Sequence, residues 1–420
     1  METGYFSLKQ VAEKKGCHIS TVRRHIKANN LKATKIQNQY RVYSSNLQKW
    51  LNGEYEFQET TEEKDVNWID ISDFWHIDGW ENTNDRTSFK FIDLFSGAGG
   101  LSCGMVMAGF IPVATVEIME QAVNTYKYNF IEQKKFSEEV ESRDITKEEV
   151  KNNLFKLVDN QEIDVVVGGF PCQGFSISGL RNCDDPRNSL YEEMKKIVEH
   201  IKPKYVIMEN VVGLRSMNGG AVEKKILEDF QKIGYNIDIT ILNSADYGVP
   251  QQRKRVIFIA NRLGETNYYP KPIFSNSEYV TLGQAIEKYM NMEENITINH
   301  IFSNHTPEMK ERLRKVPEGS SLYPNYTDSW RKSPWNKPSC TIKENHGGTN
   351  IHPLLSRCLS PRELAALQSF PDDFIFKGSK KSQLTQIGNA VPPLLGKAIG
   401  LTLRKVLERK TQVVDYNIKD

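Results

Sequence analysis

Nowhere does this chain of 420 residues hold an uninterrupted apolar run approaching the ~18 residues that a membrane-spanning helix needs. No apolar segment follows a basic start at the N-terminus, so no secretory leader is read and the cytoplasm is the expected location. Cysteine is scarce. The six, at 17, 103, 172, 183, 340 and 358, lack paired spacing, which speaks against a disulfide framework and a zinc site and leaves reduced thiols. His300, His305, His346 and His352 are spaced too irregularly to suggest a metal, and no internal repeat or low-complexity tract is visible. Net charge is small as well, at +2, but this conceals two opposed segments. Residues 1–53 carry ten Lys or Arg against two acids, and residues 54–86 carry eleven acids against two bases. Such asymmetry points to a nucleic-acid-binding module followed by a solvated linker.

The basic head has a readable order. Ser7 is an N-cap for a first helix with Leu8, Val11 and Ala12 on one face, and Gly16 breaks it. A second helix follows over Thr21–Asn29, then a hairpin through Ile36, Tyr40, Val42 and Tyr43, then a closing helix from Ser45 to Leu51. This resembles the helix-turn-helix modules of excisionase-like regulators. The resemblance implies a recognition helix carrying Arg23, Arg24 and Lys27 into the major groove; a module that only packs on the rest of the chain is the other reading. The acidic stretch 54–88 contains Trp68, Phe74, Trp75 and Trp80, more aromatics than a disordered segment holds, so its middle is expected to dock on the next domain.

From Phe89 to Arg262, strand-like runs at 90–95, 112–117, 163–170, 204–209, 237–242 and 255–260 alternate with helical patterns. That alternation predicts an α/β fold with a doubly wound, mostly parallel sheet. The domain reading is therefore 1–53 for the module, 54–88 for the linker, 89–262 for a catalytic and cofactor-binding domain, 263–383 for a smaller irregular domain, 384–410 for a return to the large one, and 411–420 for a tail.

Five segments carry the chemistry. The strand Phe91–Leu94 ends in Phe95-Ser-Gly-Ala-Gly-Gly100, whose glycines let the backbone turn sharply beside a ligand, and Glu117 ends the next strand, where an acid can accept ribose hydroxyls. A dinucleotide fingerprint fails, because Ser102 stands where its third glycine belongs. Phe170-Pro171-Cys172-Gln173 puts a thiol at a strand end, a placement that core packing alone would also explain. Met208-Glu-Asn-Val211, Gln251-Gln-Arg-Lys-Arg255 and Gly388-Asn-Ala-Val-Pro392 complete the set. In this order the five closely resemble the DNA (cytosine-5) methyltransferase family, from about Phe89 to about Val406.

The resemblance implies a methyltransferase fold that binds S-adenosyl-L-methionine, with a target-recognition region in 263–383 and no metal. It implies that Phe95, Gly97, Gly99, Gly100, Glu117, Asp144, Pro171, Leu190 and Asn389 surround the cofactor, with Ile118 standing where some relatives have an aromatic. Cys172 would add to carbon 6 of cytosine, Glu209 would hydrogen-bond ring nitrogen 3, and Arg255, with Arg253 beside it, would stabilise the adduct. Ser176, Ser178 and Arg181 would meet the backbone of duplex DNA whose target base is flipped out. The expected activity is site-specific cytosine-5 methylation in bacterial restriction–modification, with a cognate restriction endonuclease as a further partner. A tRNA cytosine methyltransferase, and a regulator acting through residues 1–53 on its own promoter, are the alternatives.

Overall fold

The computed structural model describes residues 5–16, 19–27, 31, 33–36, 39–52, 66–137, 139–142, 144–171, 189–323, 330–343 and 350–417. Cys172, Ser176, Ser178 and Arg181 lie outside the described residues. The chain divides into two compact units, Met1–Val66 and Asn67–Asp420.

The first unit comprises β1 (Tyr5–Ser7), α1 (Leu8–Lys15), α2 (Ile19–Lys27), β2 (Thr34–Ile36), β3 (Gln39–Tyr43) and α3 (Ser44–Asn52). Ser7 caps α1 through a full capping box, its hydroxyl accepting from the Gln10 N–H while the Gln10 side chain accepts from the Ser7 N–H. Gly16, at φ 66°, ends the helix. The strands form one sheet in the order β1-β3-β2; β1, only three residues long, gives no alternation by which a sequence could announce it. Val11, Val22, Val42, Leu47 and Trp50 are buried together and give the unit its own core. Arg23, Arg24 and Lys27 fall on α2, and their side chains lie outside the description.

The second unit runs β4 (Trp68–Ile69), β5 (Lys90–Leu94), α4 (Gly100–Met107), β6 (Ile111–Glu117), α5 (Glu120–Tyr126), β7 (Glu139–Ser142), α6 (Glu148–Val158), β8 (Val165–Gly168), α7 (Ser189–Ile201), β9 (Tyr205–Val211), α8 (Ala221–Lys232), β10 (Asn236–Asn243), β11 (Lys254–Asn261), β12 (Tyr269–Pro270), α9 (Leu282–Ile286), α10 (Pro307–Lys315), α11 (Pro361–Leu367), α12 (Lys380–Asn389) and α13 (Pro393–Asn417). Its main sheet has the order β10-β11-β9-β8-β5-β6-β7. Neighbours from β9 through β7 pair parallel, and β11 alone runs against both of its neighbours. Val165, Val166 and Val167 of β8 are all fully buried, as expected of a strand covered on both faces. The edge strand β7 went unread in the sequence because Glu139 and Glu141 break its apolar pattern.

Strand β5 pairs with β6 on one side and β8 on the other, so the connections leave it in opposite directions. A crevice opens at such a switch point beyond the carboxyl ends of the strands. The floor is stiffened by α13, which lies against α4: a Cβ on Gly104 would fall 2.4 Å from the Pro393 carbonyl oxygen.

The acidic stretch docks through its later part. Trp80 is buried against Phe130 and Phe374 and donates to Asp373, while Lys405 of α13 pairs with Asp73. Between β12 and α12 the chain is irregular, as its weak periodicity implies, and α11 is set by a capping box of Ser360 and Glu363 followed by Pro361. No helix among the described residues is long and apolar enough to cross a membrane.

Candidate active site

A cavity of about 510 Å³ occupies the crevice, within the usual size of a small-molecule site. It brings together Phe95, Gly97, Glu117, Ile118, Asp144, Pro171, Leu190, Glu209, Arg253, Arg255 and Asn389, eleven of the residues singled out from sequence.

The loop after β5 shapes one wall. Phe95 has a left-handed backbone, φ 62°, stabilised by its N–H donating to Val116, and Gly97 follows at φ 55°. A non-glycine residue in this conformation is strained by roughly 1–3 kcal/mol, and such strain gathers at functional sites. Gly99, at φ 91°, is the N-cap of α4, and a Cβ there would come within 2.7 Å of the Phe130 ring. That ring stacks on Tyr126 where α5 passes into a π-helical turn over Lys127–Gln133. Only glycine lets the loop lie on this stack.

Glu117 organises the loop as well as facing the cavity. Its two oxygens accept from the N–H groups of Gly97 and Met119, each at 2.8 Å, and each oxygen keeps a second lone pair. Ile118 beside it is 66 % exposed, an apolar surface at the cavity's edge. Asp144 accepts from the backbone N–H and the hydroxyl of Thr146, which hold its carboxyl below the usual carboxylate range. The Asp144 cap therefore serves a turn before α6, whose own N-cap is Lys147.

At the other wall, Glu209 lies near the carboxyl end of β9 beside Arg255 of β11. Arg255 Nε lies 2.8 Å from Glu209 Oε1, and both side chains are largely buried. The neighbouring Asn210 donates to the carbonyl of Phe170 at 2.9 Å, tying β9 to the segment that leads through Pro171, which lines the cavity. Cys172 comes next in the chain. Arg253 separates from Arg255 in burial and bonding: it is 1 % exposed, and its guanidinium donates to the carbonyls of Ile342, Gly388 and Ala390. Among the described residues no group of three or more His, Cys, Asp or Glu is placed to hold a metal. His300 bonds Ser360, and His352 accepts from the N–H groups of Leu354 and Leu355.

The sequence reading missed Asp93. This acid lies in β5, fully buried at the base of the cavity, accepting from Ser102 at 2.6 Å while Tyr126 donates to the same hydroxyl. Burial pushes its carboxyl up to about 7, with the charge of Glu117 adding to the effect and the Ser102 hydrogen bond opposing it. Its only signal in the sequence was an acid inside an apolar strand. In the folded protein the proton stays on until about pH 7, whereas the unfolded chain releases it near 3.8. The resulting stabilisation is complete below the unfolded value and is lost as pH rises to the folded one. An Asp93→Asn variant, which keeps the shape and loses the titration, is expected to flatten the fall in stability across this window by roughly 2–4 kcal/mol, read by urea unfolding at a series of pH values.

A family model described as C-5 cytosine-specific DNA methylase matches residues 89–405, and one described as a helix-turn-helix domain matches 5–55. The Type II methyltransferase M1.HphI of Haemophilus parahaemolyticus is 39 % identical over 334 residues, covering 76 % of this chain and 87 % of the relative. The Type II methyltransferase M.DdeI of Desulfomicrobium norvegicum is 33 % identical, covering 78 % and 92 %. Among solved structures, a putative DNA modification methyltransferase encoded within an E. coli prophage superposes with TM-score 0.62 at 27 % identity, covering 76 % of this chain and all of that one. The S. pombe Dnmt2 methyltransferase, at TM-score 0.55 and 17 % identity, shares the fold.

Proposed function

The chain belongs to the C-5 cytosine-specific DNA methylase family, and from that premise we propose how its residues divide the work of methylating carbon 5 of a cytosine in duplex DNA. The observation that carries the reading is the Glu209–Arg255 pair at 2.8 Å in the same cavity as Phe95, Glu117 and Pro171. The cavity suits S-adenosyl-L-methionine: it offers apolar surface at Phe95 and Ile118, acceptors at Glu117 and Asp144, and Asn389 at its rim. When bound, that cofactor supplies the electrophilic methyl group.

Carbon 5 of cytosine is a poor nucleophile until a nucleophile adds at carbon 6. Cys172 makes that bond as a thiolate, which is intrinsically strongly nucleophilic. Glu209 donates a hydrogen bond to ring nitrogen 3, drawing charge from the ring as the sulfur adds. Arg255 orients Glu209 and stabilises the negative charge that develops on the base edge. Carbon 5, made nucleophilic by that addition, would take the methyl group as its bond to the cofactor's sulfur breaks, with S-adenosyl-L-homocysteine as the leaving group; the carbon 5 proton then passes to water, and expulsion of the Cys172 thiolate restores the ring. The flipped base and its backbone are held by Ser176, Ser178 and Arg181, and residues 263–383 read the site.

The Type II names of the relatives support a place in restriction–modification, with a cognate endonuclease acting on the same sequence. Bisulfite sequencing of DNA incubated with the protein and S-adenosyl-L-methionine tests the reaction. Protection of cytosines within one recurring sequence is expected; full conversion despite bound cofactor would turn the reading to RNA.

A second role is favoured by the separate core of residues 1–66 and its helix-turn-helix match. We propose that α2 binds an operator, including the protein's own promoter, through Arg23, Arg24 and Lys27. A chain starting at Asn67 is expected to lose promoter binding in a mobility-shift assay and keep its methylation pattern. A changed pattern would assign the module to target selection.

A further inference from the structure

Residues 56–88 fall between the two family matches, 5–55 and 89–405, yet from Asn67 onward they pack into the second unit. Ile69, Ile71, Ile77 and Trp80 are all buried there. Gly79 lies so close to α4 that a Cβ on it would fall 2.4 Å from the Val106 carbonyl oxygen, and its N–H donates to Met107. The stretch is therefore laid along the helix into which the loop at Phe95 leads.

Trp80, the next residue, is 2 % exposed and held from three directions. Its Nε1 donates to Asp373 at 3.2 Å. Lys134 Nζ lies 4.7 Å from the ring centroid and pairs with the same Asp373 at 2.8 Å. The ring of Phe130 meets the indole edge-on, with centroids 5.3 Å apart. Edge-to-face is a preferred arrangement of aromatic pairs, so a fixed indole sets the plane of the Phe130 ring.

From Phe130 the contacts reach the cavity wall directly. Phe130 stacks on Tyr126 at 4.1 Å, and a Cβ on Gly99 would come within 2.7 Å of Phe130 and 2.9 Å of Tyr126. Gly99 donates from its N–H to Ser96, and Phe95, Ser96 and Gly97 line the cavity. Tyr126 donates to Ser102, which donates to Asp93 at the cavity base. The stack is thus the surface on which a strained loop rests, and strain of that kind persists only where the surroundings over-determine it. Trp80 does not itself line the cavity.

We infer that Trp80 is a positioning residue for the loop at Phe95: by fixing Phe130 it holds the stack beneath Gly99, so the stretch before residue 89 serves the cofactor cavity without touching its contents. The inference rests on the proposed function, in that it takes the cavity to bind S-adenosyl-L-methionine.

The test uses the full chain with Trp80→Leu, which stays apolar but has no ring, and Trp80→Phe, which keeps a ring edge and loses the bond to Asp373. Affinity for S-adenosyl-L-homocysteine, by titration calorimetry, is expected to fall about fivefold or more in the leucine variant and to stay within about twofold of the parent in the phenylalanine variant. The KM for S-adenosyl-L-methionine should rise with the leucine substitution while kcat and the KM for duplex DNA stay within about twofold. A folded leucine variant with parental affinity overturns the inference and leaves the cofactor assignment standing, as does a loss shared equally by kcat or by the duplex, which would mark a general loosening. No binding in the parent overturns both. Hydrogen exchange on the parent protein decides the matter if the leucine variant does not fold. Added S-adenosyl-L-homocysteine is expected to slow exchange in 96–103 and in 79–82 together, and protection confined to 96–103 overturns the inference.

Discussion

A Cys172→Ala protein is expected to transfer no measurable methyl groups, a loss of roughly 10³-fold or more, while binding S-adenosyl-L-homocysteine as the parent does. The separation follows from the division of the cavity. The cofactor-side wall is built by the strained loop at Phe95, by Glu117 bonded to Gly97, and by the stack beneath Gly99, none of which depends on a thiol. Addition to carbon 6 has no substitute nucleophile in the proposal, so the barrier returns to that of the unactivated ring. Radiolabelled methyl transfer and calorimetry on one preparation measure the two quantities. Methylation near the parental rate would rule out the covalent route; parallel loss of cofactor binding would mean that the substitution had disturbed the fold of the cavity.

Glu209→Gln should lower kcat by roughly 10²–10⁴-fold, with the KM for the cofactor changed little. The amide is isosteric and can still accept from Arg255, so the bond that holds the side chain between β9 and β11 survives. What it lacks is a transferable proton for ring nitrogen 3. Binding of a duplex containing the target should persist, since the amide also donates a hydrogen bond. The distinguishing measurement is single-turnover methyl transfer with saturating duplex. A variant that forms its complex normally but reacts slowly supports the general-acid role; weak binding with an unaltered chemical rate would make Glu209 a binding residue only.

The parts of this site that were legible in sequence share a physical origin. A strand covered on both faces must be apolar along its length, so an acid toward its carboxyl end stands out, as Glu117 does on the last residue of β6 and Glu209 does near the end of β9. Capping is equally local: Ser7 with Gln10 and Ser360 with Glu363 satisfy helix N–H groups within a few residues. Asp93 was overlooked because an acid within an apolar strand reads as an interruption until Ser102 and Tyr126 are seen to meet it.

By itself, the sequence determined the basic helix-turn-helix head and the doubly wound sheet, which are written in spacing, charge and side-chain type over short spans, while the family, and with it most of the residues that line the crevice, came from the resemblance carried by five ordered segments. The tertiary structure alone decided how Arg253 and Arg255 differ. Both are arginines two positions apart on an extended segment, yet one pairs with a carboxylate in the cavity and the other holds backbone carbonyls lying 89, 135 and 137 residues away. Every residue has a carbonyl, so its choice as a partner leaves no trace in side-chain identity; only the fold, by bringing those segments together, fixes which charge faces the chemistry and which holds the frame around it.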